Sequence, residues 1–172
     1  MNDNNPSQYQ LLIMRHGKSD WGKNEADFDR TLTTAGVEAA QKIGRWLLDH
    51  DLIPDLIVTS PATRALMTTT EISGITGANE VKQDQRIWEA STSQLLDVIS
   101  DTPTDCKKLM IVGHNPGFES LLLLLASVPN HFYKDYKLLT TGTLAVLNIS
   151  CDWQSLEENC AEITDLIRGK YL

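Results

Sequence analysis

The sequence predicts an α/β protein, a three-layer α/β/α sandwich built around a mostly parallel sheet. Short apolar runs alternate along the 172-residue chain with longer segments whose apolar residues recur at helical spacing. The runs are continuously apolar, which is typical of strands that are buried on both faces of a parallel sheet. The predicted strands lie at residues 11–14, 56–59, 109–112 and 143–147, with a shorter candidate at 81–83.

The first predicted helix follows a polar stretch that shows neither a helical nor a strand period. Thr33 or Thr34 is a suitable N-cap, and Glu38 is expected in the first turn, where a negative charge favours the helix dipole. Apolar residues then recur on one face, so the helix is predicted to run to about His50.

The second predicted helix begins directly after a strand. Ser60 is expected to cap it, and Pro61 suits the first helical position. This start places Arg64 in the first turn, just beyond the carboxyl end of the preceding strand. The helix is predicted to stop at Gly74.

Two further helices and one ambiguous segment complete the secondary-structure prediction. Ser91 or Thr92 is a candidate cap for a third helix, and Pro116 is expected to open a very apolar fourth helix that runs through Ala126. Residues 161–166 fit either a last strand or a last helix, and the pattern does not decide between the two.

Composition argues against several classes of partner. The chain carries 23 acidic and 15 basic residues, which gives a formal net charge of -8. Nucleic acids and anionic membranes would be repelled by such a surface, so neither is expected as a partner. A small anionic substrate is still compatible with this charge, because a basic pocket can lie inside an acidic surface.

The cysteines and the amino terminus favour a cytoplasmic protein. Cys106, Cys151 and Cys160 form no C-x-x-C pair and leave an odd number, which predicts reduced thiols without a disulfide framework. The amino terminus lacks a signal-peptide pattern, and the longest apolar run, residues 121–126, is too short to span a bilayer. We expect one domain over the whole chain, residues 1–172, with a flexible tail at its first eight residues. The sequence leaves the oligomeric state open.

Two arginines and two histidines lie just beyond the ends of predicted strands. Arg15 and His16 follow the first strand, Arg64 follows the second, and His114 follows the strand at 109–112. Since ligands of parallel α/β sheets bind at the carboxyl ends of the strands, we expect these side chains to meet at one edge. Arginine offers a planar fork of donors for phosphate oxygens, and a neutral histidine can carry a phosphoryl group. The pattern therefore predicts a phosphoryl site.

Two other interpretations apply to these histidines. As metal ligands, His16 and His114 lack further histidine or carboxylate partners at ligand spacing, and the nearby arginines would repel a cation. As core residues they would have no reason to lie at strand ends, in contrast to His50 and His131, which we interpret as structural. A nucleophilic histidine also needs an acceptor, such as a backbone carbonyl, on its other ring nitrogen to fix the tautomer. No metal and no cofactor are predicted.

Three motifs, each after a predicted strand, resemble those of one known family. Arg15-His16-Gly17 resembles the first motif of the histidine phosphatase superfamily, which has the phosphoglycerate mutase-like fold. Ser-Pro-Ala-Thr-Arg-Ala at residues 60–65 resembles the second motif, and Gly-His-Asn-Pro-Gly at residues 113–117 resembles the third. The resemblance extends over residues 11–147.

Within this superfamily the chain resembles the SixA-type phosphohistidine phosphatases. The similarity lies in residues 15–21, 29–33 and 114–117. The chain is also short, and it lacks the large lid insertion with which longer relatives select small phosphorylated metabolites. The resemblance implies a metal-independent phosphatase whose open cleft admits a phosphorylated side chain of another protein.

Other functions stay open at this point. The first alternative is the same chemistry on a small phosphate ester such as a sugar phosphate, and the second is a non-catalytic phosphate-binding module with the same fold. A mutase would need a lid to keep water from the intermediate. Binding alone would not require His16.

The resemblance also implies a role for each site residue. His16 would accept the phosphoryl group, and Arg15, Arg64 and His114 would bind its oxygens and stabilise the charge during transfer. Glu89 is the best match to the acid that protonates the leaving group, and a solvated charge near a helix start is its alternative interpretation. The remaining residues expected to contact phosphate are Gly17 and Asn115.

Overall fold

A six-stranded sheet forms the middle layer of the protein. The computed structural model describes residues 9–22, 24–78, 80–134 and 137–172. The strands are β1 (Tyr9–Arg15), β2 (Leu56–Thr59), β3 (Val81–Gln83), β4 (Lys108–Gly113), β5 (Thr143–Ile149) and β6 (Ala161–Arg168). Their order in the sheet is β3-β2-β4-β1-β5-β6.

The sheet is mostly parallel, as the sequence predicts. β1 pairs in parallel with β4, β4 with β2, and β2 with β3, whereas β5 is antiparallel to both β1 and β6. Within the described ranges, β5 is thus the strand that is antiparallel in direction to the other five. The carboxyl ends of β1, β2 and β4 lie side by side at one edge, which brings together the residues that follow them.

Helices cover both faces of this sheet. In the described chain they are α1 (Thr34–Asp49), α2 (Thr63–Thr76), α3 (Thr92–Ser100) and α4 (Gly117–Leu125). Successive residues of β1 point to opposite faces, so Leu12 and Met14 pack with α1 and α2, while Leu11 and Ile13 pack with α3 and α4. A strand between two helical layers therefore needs apolar residues at every position. This explains the continuous runs in the sequence and confirms the three-layer prediction.

The start of α1 agrees with the sequence in one respect and differs in another. Thr33 caps the helix, since its hydroxyl accepts a hydrogen bond from the Gly36 amide at 3.1 Å. Glu38 lies beyond the first turn, which contains no acidic residue, so the predicted contact with the dipole is wrong. The helix ends at Asp49, one residue before His50.

The bounds of α2 differ from the prediction at both ends. The helix begins at Thr63 without a side-chain cap, and the Ser60 hydroxyl contacts Nε2 of His114 at 2.8 Å, so the capping role predicted for Ser60 is wrong. Nor does the helix stop at Gly74. It continues to the residue before Gly77, which adopts the left-handed φ of 72° that ends a helix.

The remaining elements follow the prediction more closely. Ser91 caps α3 and forms a reciprocal pair of hydrogen bonds with Gln94. Pro116 is the N-cap of α4 rather than its first residue, and its peptide bond to Asn115 is cis. The ambiguous segment near the carboxyl end forms strand β6.

The connections at the carboxyl edge of the sheet are short. In its described part, the connection between β1 and α1 has one regular element, a turn of 3-10 helix at Asp27–Asp29. The connection between β3 and α3 contains a similar turn at Gln85–Ile87. No helix of the described ranges is long and apolar enough to cross a membrane. The flexible tail predicted for residues 1–8 lies outside the described residues.

Candidate active site

Three of the predicted site residues meet at the carboxyl edge of the sheet. His16 follows β1, Arg64 lies in the first turn of α2, and His114 follows β4. Nε of Arg64 donates to Nε2 of His16 at 3.2 Å, and the ring centres of His16 and His114 are 5.1 Å apart. All three side chains are buried, with His16 only 6% exposed. The sheet edge therefore assembles these groups as the sequence predicts.

His16 is fixed in one tautomer. Its Nδ1 lies 2.7 Å from the carbonyl oxygen of Gly17, an acceptor, and its Nε2 faces an N–H donor of Arg64. Nδ1 therefore carries the proton, and Nε2 presents a lone pair. Burial, together with nearby cationic groups, lowers the pKa of His16 to about 3. The ring is neutral at physiological pH, so Nε2 has the protonation state of a nucleophile.

Gly17 allows close backbone packing next to His16. A Cβ at this position would lie 2.7 Å from the carbonyl oxygen of Gly36 in α1. The Gly17 amide donates to the hydroxyl of Thr68 at 3.0 Å. Because that amide is already bonded, the observed contribution of Gly17 is the carbonyl that fixes His16. Its contact with phosphate stays a prediction.

Arg64 is held by Asp27, which lies in the polar connection after β1. Nη1 of Arg64 donates to the main-chain carbonyl of Asp27 at 2.5 Å, and Nη2 donates to the Asp27 carboxylate at 3.1 Å. The other carboxylate oxygen accepts from Nε of Arg30 at 2.9 Å. One carboxylate thus bridges two guanidinium groups beside the proposed nucleophile.

His114 is held by Ser60 and Trp88. Its Nε2 lies 2.8 Å from the Ser60 hydroxyl, and the Trp88 ring meets it edge to face at 5.1 Å between centres. Its Nδ1 is buried and has no partner among the described residues. Burial and then the charge of Arg64 lower the pKa of His114 to about 4, so this ring is also neutral at physiological pH. The Nδ1 atom thus keeps an unused hydrogen-bonding position among the described residues.

Arg15 and Asn115 are tied to the loop that precedes β5. The Leu139 carbonyl accepts from Nη1 of Arg15 at 2.7 Å and from Nδ2 of Asn115 at 2.9 Å. Glu119 holds the same loop by accepting from the Leu139 amide at 3.0 Å and from Asn115 Nδ2 at 3.2 Å. The side-chain amide of Asn115 therefore donates to two partners within the protein. Arg15 keeps a buried Nε with no partner in the described chain.

A cavity of about 300 Å³ borders these groups. Its lining includes Asp27, Arg64, Trp88, Glu89, His114 and Asn115. Glu89 is exposed, and its carboxylate has no hydrogen bond or ion pair with the described residues. Its φ of 51° lies in the left-handed region, which is uncommon outside glycine. His16 is not among the lining residues, but it contacts one of them, Arg64.

The donors at this edge suit an anion. Guanidinium N–H groups and a neutral imidazole match phosphoryl oxygens, and Nε2 of His16 is placed among them as an unprotonated nitrogen. Among the described residues, no group of three or more His, Cys, Asp or Glu is arranged to hold a metal ion. The arrangement can bind a phosphoryl group and offer it a nucleophile.

Four residues of the site were not identified as such from the sequence. Asp27 lies in a stretch without periodicity, and Trp88 follows no recognisable pattern. Ser60 precedes a proline, a context that favours a helix cap. Among these four, Glu119 could have been identified from the sequence. It lies four residues after Asn115, a spacing that places two side chains on one side of a helical turn.

A match to a family model identifies the superfamily of this chain. The model of the histidine phosphatase superfamily (branch 1) matches residues 11–96, which is half of the chain. The chain belongs to the histidine phosphatase superfamily. The resemblance inferred from the three sequence motifs is therefore confirmed.

Proteins similar to this member of the superfamily cover nearly its whole length. A structure from Agrobacterium tumefaciens, proposed to be the phosphohistidine phosphatase SixA, has a TM-score of 0.78 at 26% identity over 93% of this chain and 97% of that one. The protein histidine phosphatase SixA in complex with tungstate has a TM-score of 0.77 at 18% identity over 93% of this chain and 97% of that one, which shows the common fold. An uncharacterized protein of Mycobacterium leprae is 30% identical over 87% of this chain and 96% of its own length. Family membership indicates an enzyme of the phosphatase or mutase type.

Proposed function

We propose that this protein is a metal-independent phosphatase that carries the phosphoryl group on His16 and removes it from phosphohistidine in another protein. The observation that carries this proposal is the lone pair on Nε2 of His16. The Gly17 carbonyl fixes the proton on Nδ1, and burial keeps the ring neutral. A histidine held in this state is ready to attack phosphorus without first losing a proton.

The first step transfers the phosphoryl group to the enzyme. A phosphoryl oxygen is a stronger acceptor than Nε2 and would take over the N–H that Arg64 now directs at His16. Nε2 attacks phosphorus and forms a new P–N bond, while the P–N bond of the substrate breaks. The leaving imidazole nitrogen keeps the electron pair and takes up a proton, for which Glu89 is the proposed donor. Arg15 stabilises the charge together with Arg64.

The second step hydrolyses phospho-His16. Water attacks phosphorus as the Glu89 carboxylate accepts one of its protons, and the P–N bond of phospho-His16 breaks with its electron pair returning to Nε2. Because Nδ1 stays protonated and bonded to the Gly17 carbonyl, the phosphorylated ring is cationic and leaves readily. Phosphate departs, and both His16 and Glu89 return to their starting states.

Two features support phosphohistidine in a protein as the substrate. The described connections at the site contain single turns rather than an inserted lid, which leaves room for a side chain presented by a large molecule. The leaving group of phosphohistidine is also a better one than an alkoxide, so its departure needs less help from a proton donor such as the Glu89 carboxyl group. The similarity to structures that bear the SixA name is consistent with this choice.

The test compares two substrates in wild type and in two variants. An aryl phosphate and a histidine-phosphorylated protein are each incubated with the wild type, with His16→Ala and with His50→Ala, in the presence and absence of EDTA. His50 is an exposed residue at the end of α1 and serves as the matched control. We expect turnover of both substrates by wild type and His50→Ala, without an effect of EDTA, and no turnover by His16→Ala.

Each departure from this result has a distinct meaning. Loss of activity in EDTA contradicts the metal-independent mechanism, and full activity of His16→Ala contradicts the nucleophile. Turnover of small esters with none of the phosphoprotein would make a small phosphate ester the substrate. A protein that binds phosphate and turns over neither substrate would be a binding module.

A further inference from the structure

Asp27 contacts Arg64 through two different groups. The main-chain carbonyl accepts from Nη1 and the carboxylate from Nη2, so two edges of the guanidinium are anchored to one residue. The remaining donor edge, at Nε, points at Nε2 of His16. The direction in which Arg64 faces the proposed nucleophile is thus set by Asp27.

Asp27 is itself held from the opposite side. Its second carboxylate oxygen accepts from Nε of Arg30, a residue that is only 7% exposed. The Trp21 ring covers the Arg30 guanidinium, with the central carbon 3.4 Å from the ring centre. These contacts fix Asp27 between two cations, in a connection that otherwise has little regular structure.

The ion pairs of Asp27 separate its role from the one proposed for Glu89. Burial alone would raise the pKa of the Asp27 carboxyl, but the charges of Arg64 and Arg30 and their hydrogen bonds lower it overall. Asp27 is therefore ionised at working pH and has no proton to donate. Of the two carboxylates that line the cavity, Glu89 is the unpaired one in the described chain.

We propose that Asp27 is a positioning residue for phosphoryl transfer: it anchors Arg64 so that the guanidinium can move its Nε–H from His16 to a phosphoryl oxygen without losing its orientation. The inference rests on the function proposed above. Asp27 adds negative charge beside an anion site, so it opposes phosphate binding while it favours the reactive geometry. A residue of this kind influences kcat and phosphate affinity in different directions.

The test is an Asp27→Asn variant beside Asp29→Asn. Asp29 lies in the same 3-10 turn and is exposed, so the control makes the same change of charge two residues away. We measure kcat with an aryl phosphate, the inhibition constant of inorganic phosphate, and the thermal unfolding midpoint. Asp27→Asn is expected to lower kcat about 10- to 100-fold, since misplacement of a transition-state group has effects of this size. Phosphate should bind this variant as tightly as wild type or more tightly, and Asp29→Asn should behave as wild type.

Three outcomes overturn the inference. They are an unchanged kcat in Asp27→Asn, an equal loss of kcat in Asp29→Asn, or a loss of kcat and of phosphate affinity together with a lower unfolding midpoint. If Asp27→Asn does not fold, Asp27→Glu keeps the charge but displaces the carboxylate by one methylene. A wild-type kcat in Asp27→Glu would then show a purely structural role. The activity of His16→Ala tests the proposed function independently of this inference.

Discussion

Burial lowers the pKa of His16 to about 3 and that of His114 to about 4. An exposed histidine would gain a proton as the pH falls through about 6.5, which would remove the lone pair of Nε2. Because the folded-state pKa is lowered, the neutral form of His16 persists until the pH approaches about 4 or below. We expect kcat/KM, corrected for ionisation of the substrate, to show no decline with a midpoint near 6.5. A rapid-mixing pH profile checks this, and a loss of activity centred near 6.5 would contradict it.

Glu89 allows a second prediction at the scale of one residue. Glu89→Gln removes the proposed proton donor while the shape of the side chain is kept. The loss of kcat/KM, which reports the first transfer step, should be small for a good leaving group such as nitrophenolate and about 100-fold or more for an alkyl phosphate, the usual size of general acid catalysis. Turnover of a matched series of esters measures this dependence. An unchanged kcat/KM for every ester of the series would mean that Glu89 is a solvated charge.

A sequence pattern indicates some residues of the site but not others. Arg15 ends an apolar strand, and His16 and His114 directly follow one, so parallel strands must deliver all three to one edge. Asp27 offers no such signal. Its partner Arg64 is 37 positions away, and the pairing depends on how a connection without regular periodicity folds back over the sheet edge.

At the scale of elements, the contact between the loop after β1 and the start of α1 depends on glycine. In Gly17→Ala the new Cβ would meet the Gly36 carbonyl at 2.7 Å, so backbone must shift. We expect the free energy of unfolding to fall by about 1–3 kcal/mol, as for other overpacked sites. The activity should fall as well, because the Gly17 carbonyl that fixes His16 moves.

Gly74→Ala is the matched control for this change. Gly74 lies inside α2, and a Cβ there would meet nothing within 4 Å. This variant should be more stable than wild type by about 0.5–1 kcal/mol, because alanine favours a helix. Urea unfolding of both variants makes the comparison. A Gly17→Ala protein as stable as wild type would show that the loop relaxes freely.

The prediction of helix caps succeeded at Thr33 and Ser91 and failed at Ser60. The Thr33 and Ser91 hydroxyls each accept a hydrogen bond from an amide of their own helix, and both act as caps. Ser60 has the same hydroxyl, but it faces His114, which follows a neighbouring strand, and the helix begins later. Neighbours of that kind become visible only when the sheet is assembled.

At the scale of the whole molecule, the net charge of -8 opposes the approach of acidic substrates. For a histidine-phosphorylated protein of negative net charge, kcat/KM should rise as added salt screens the repulsion. For a basic phosphoprotein, kcat/KM should fall over the same range of salt. A direct effect of salt on the site would change both substrates in the same direction, so opposite responses identify the effect of net charge. An identical response of the two substrates would mean that the global charge does not influence encounter.

The overall architecture was predictable because alternating strands and helices allow few arrangements. The direction of β5 was not, since its apolar run is the same whether the strand is parallel or antiparallel to β1. The antiparallel direction matters for the site. It brings the start of β5 to the carboxyl edge of the parallel strands, where Leu139 contacts Arg15 and the Gly142 amide donates to the His16 carbonyl at 2.9 Å.

The central claim, that His16 carries the phosphoryl group, is tested most directly by trapping the intermediate. Enzyme mixed with excess aryl phosphate is quenched in alkali, in which phosphohistidine survives, and the peptides are mapped by mass spectrometry. We expect a phosphoryl group on the peptide that contains His16, formed within one turnover and absent from His16→Ala. Turnover without this adduct, or with the phosphoryl group on another residue, would contradict the account.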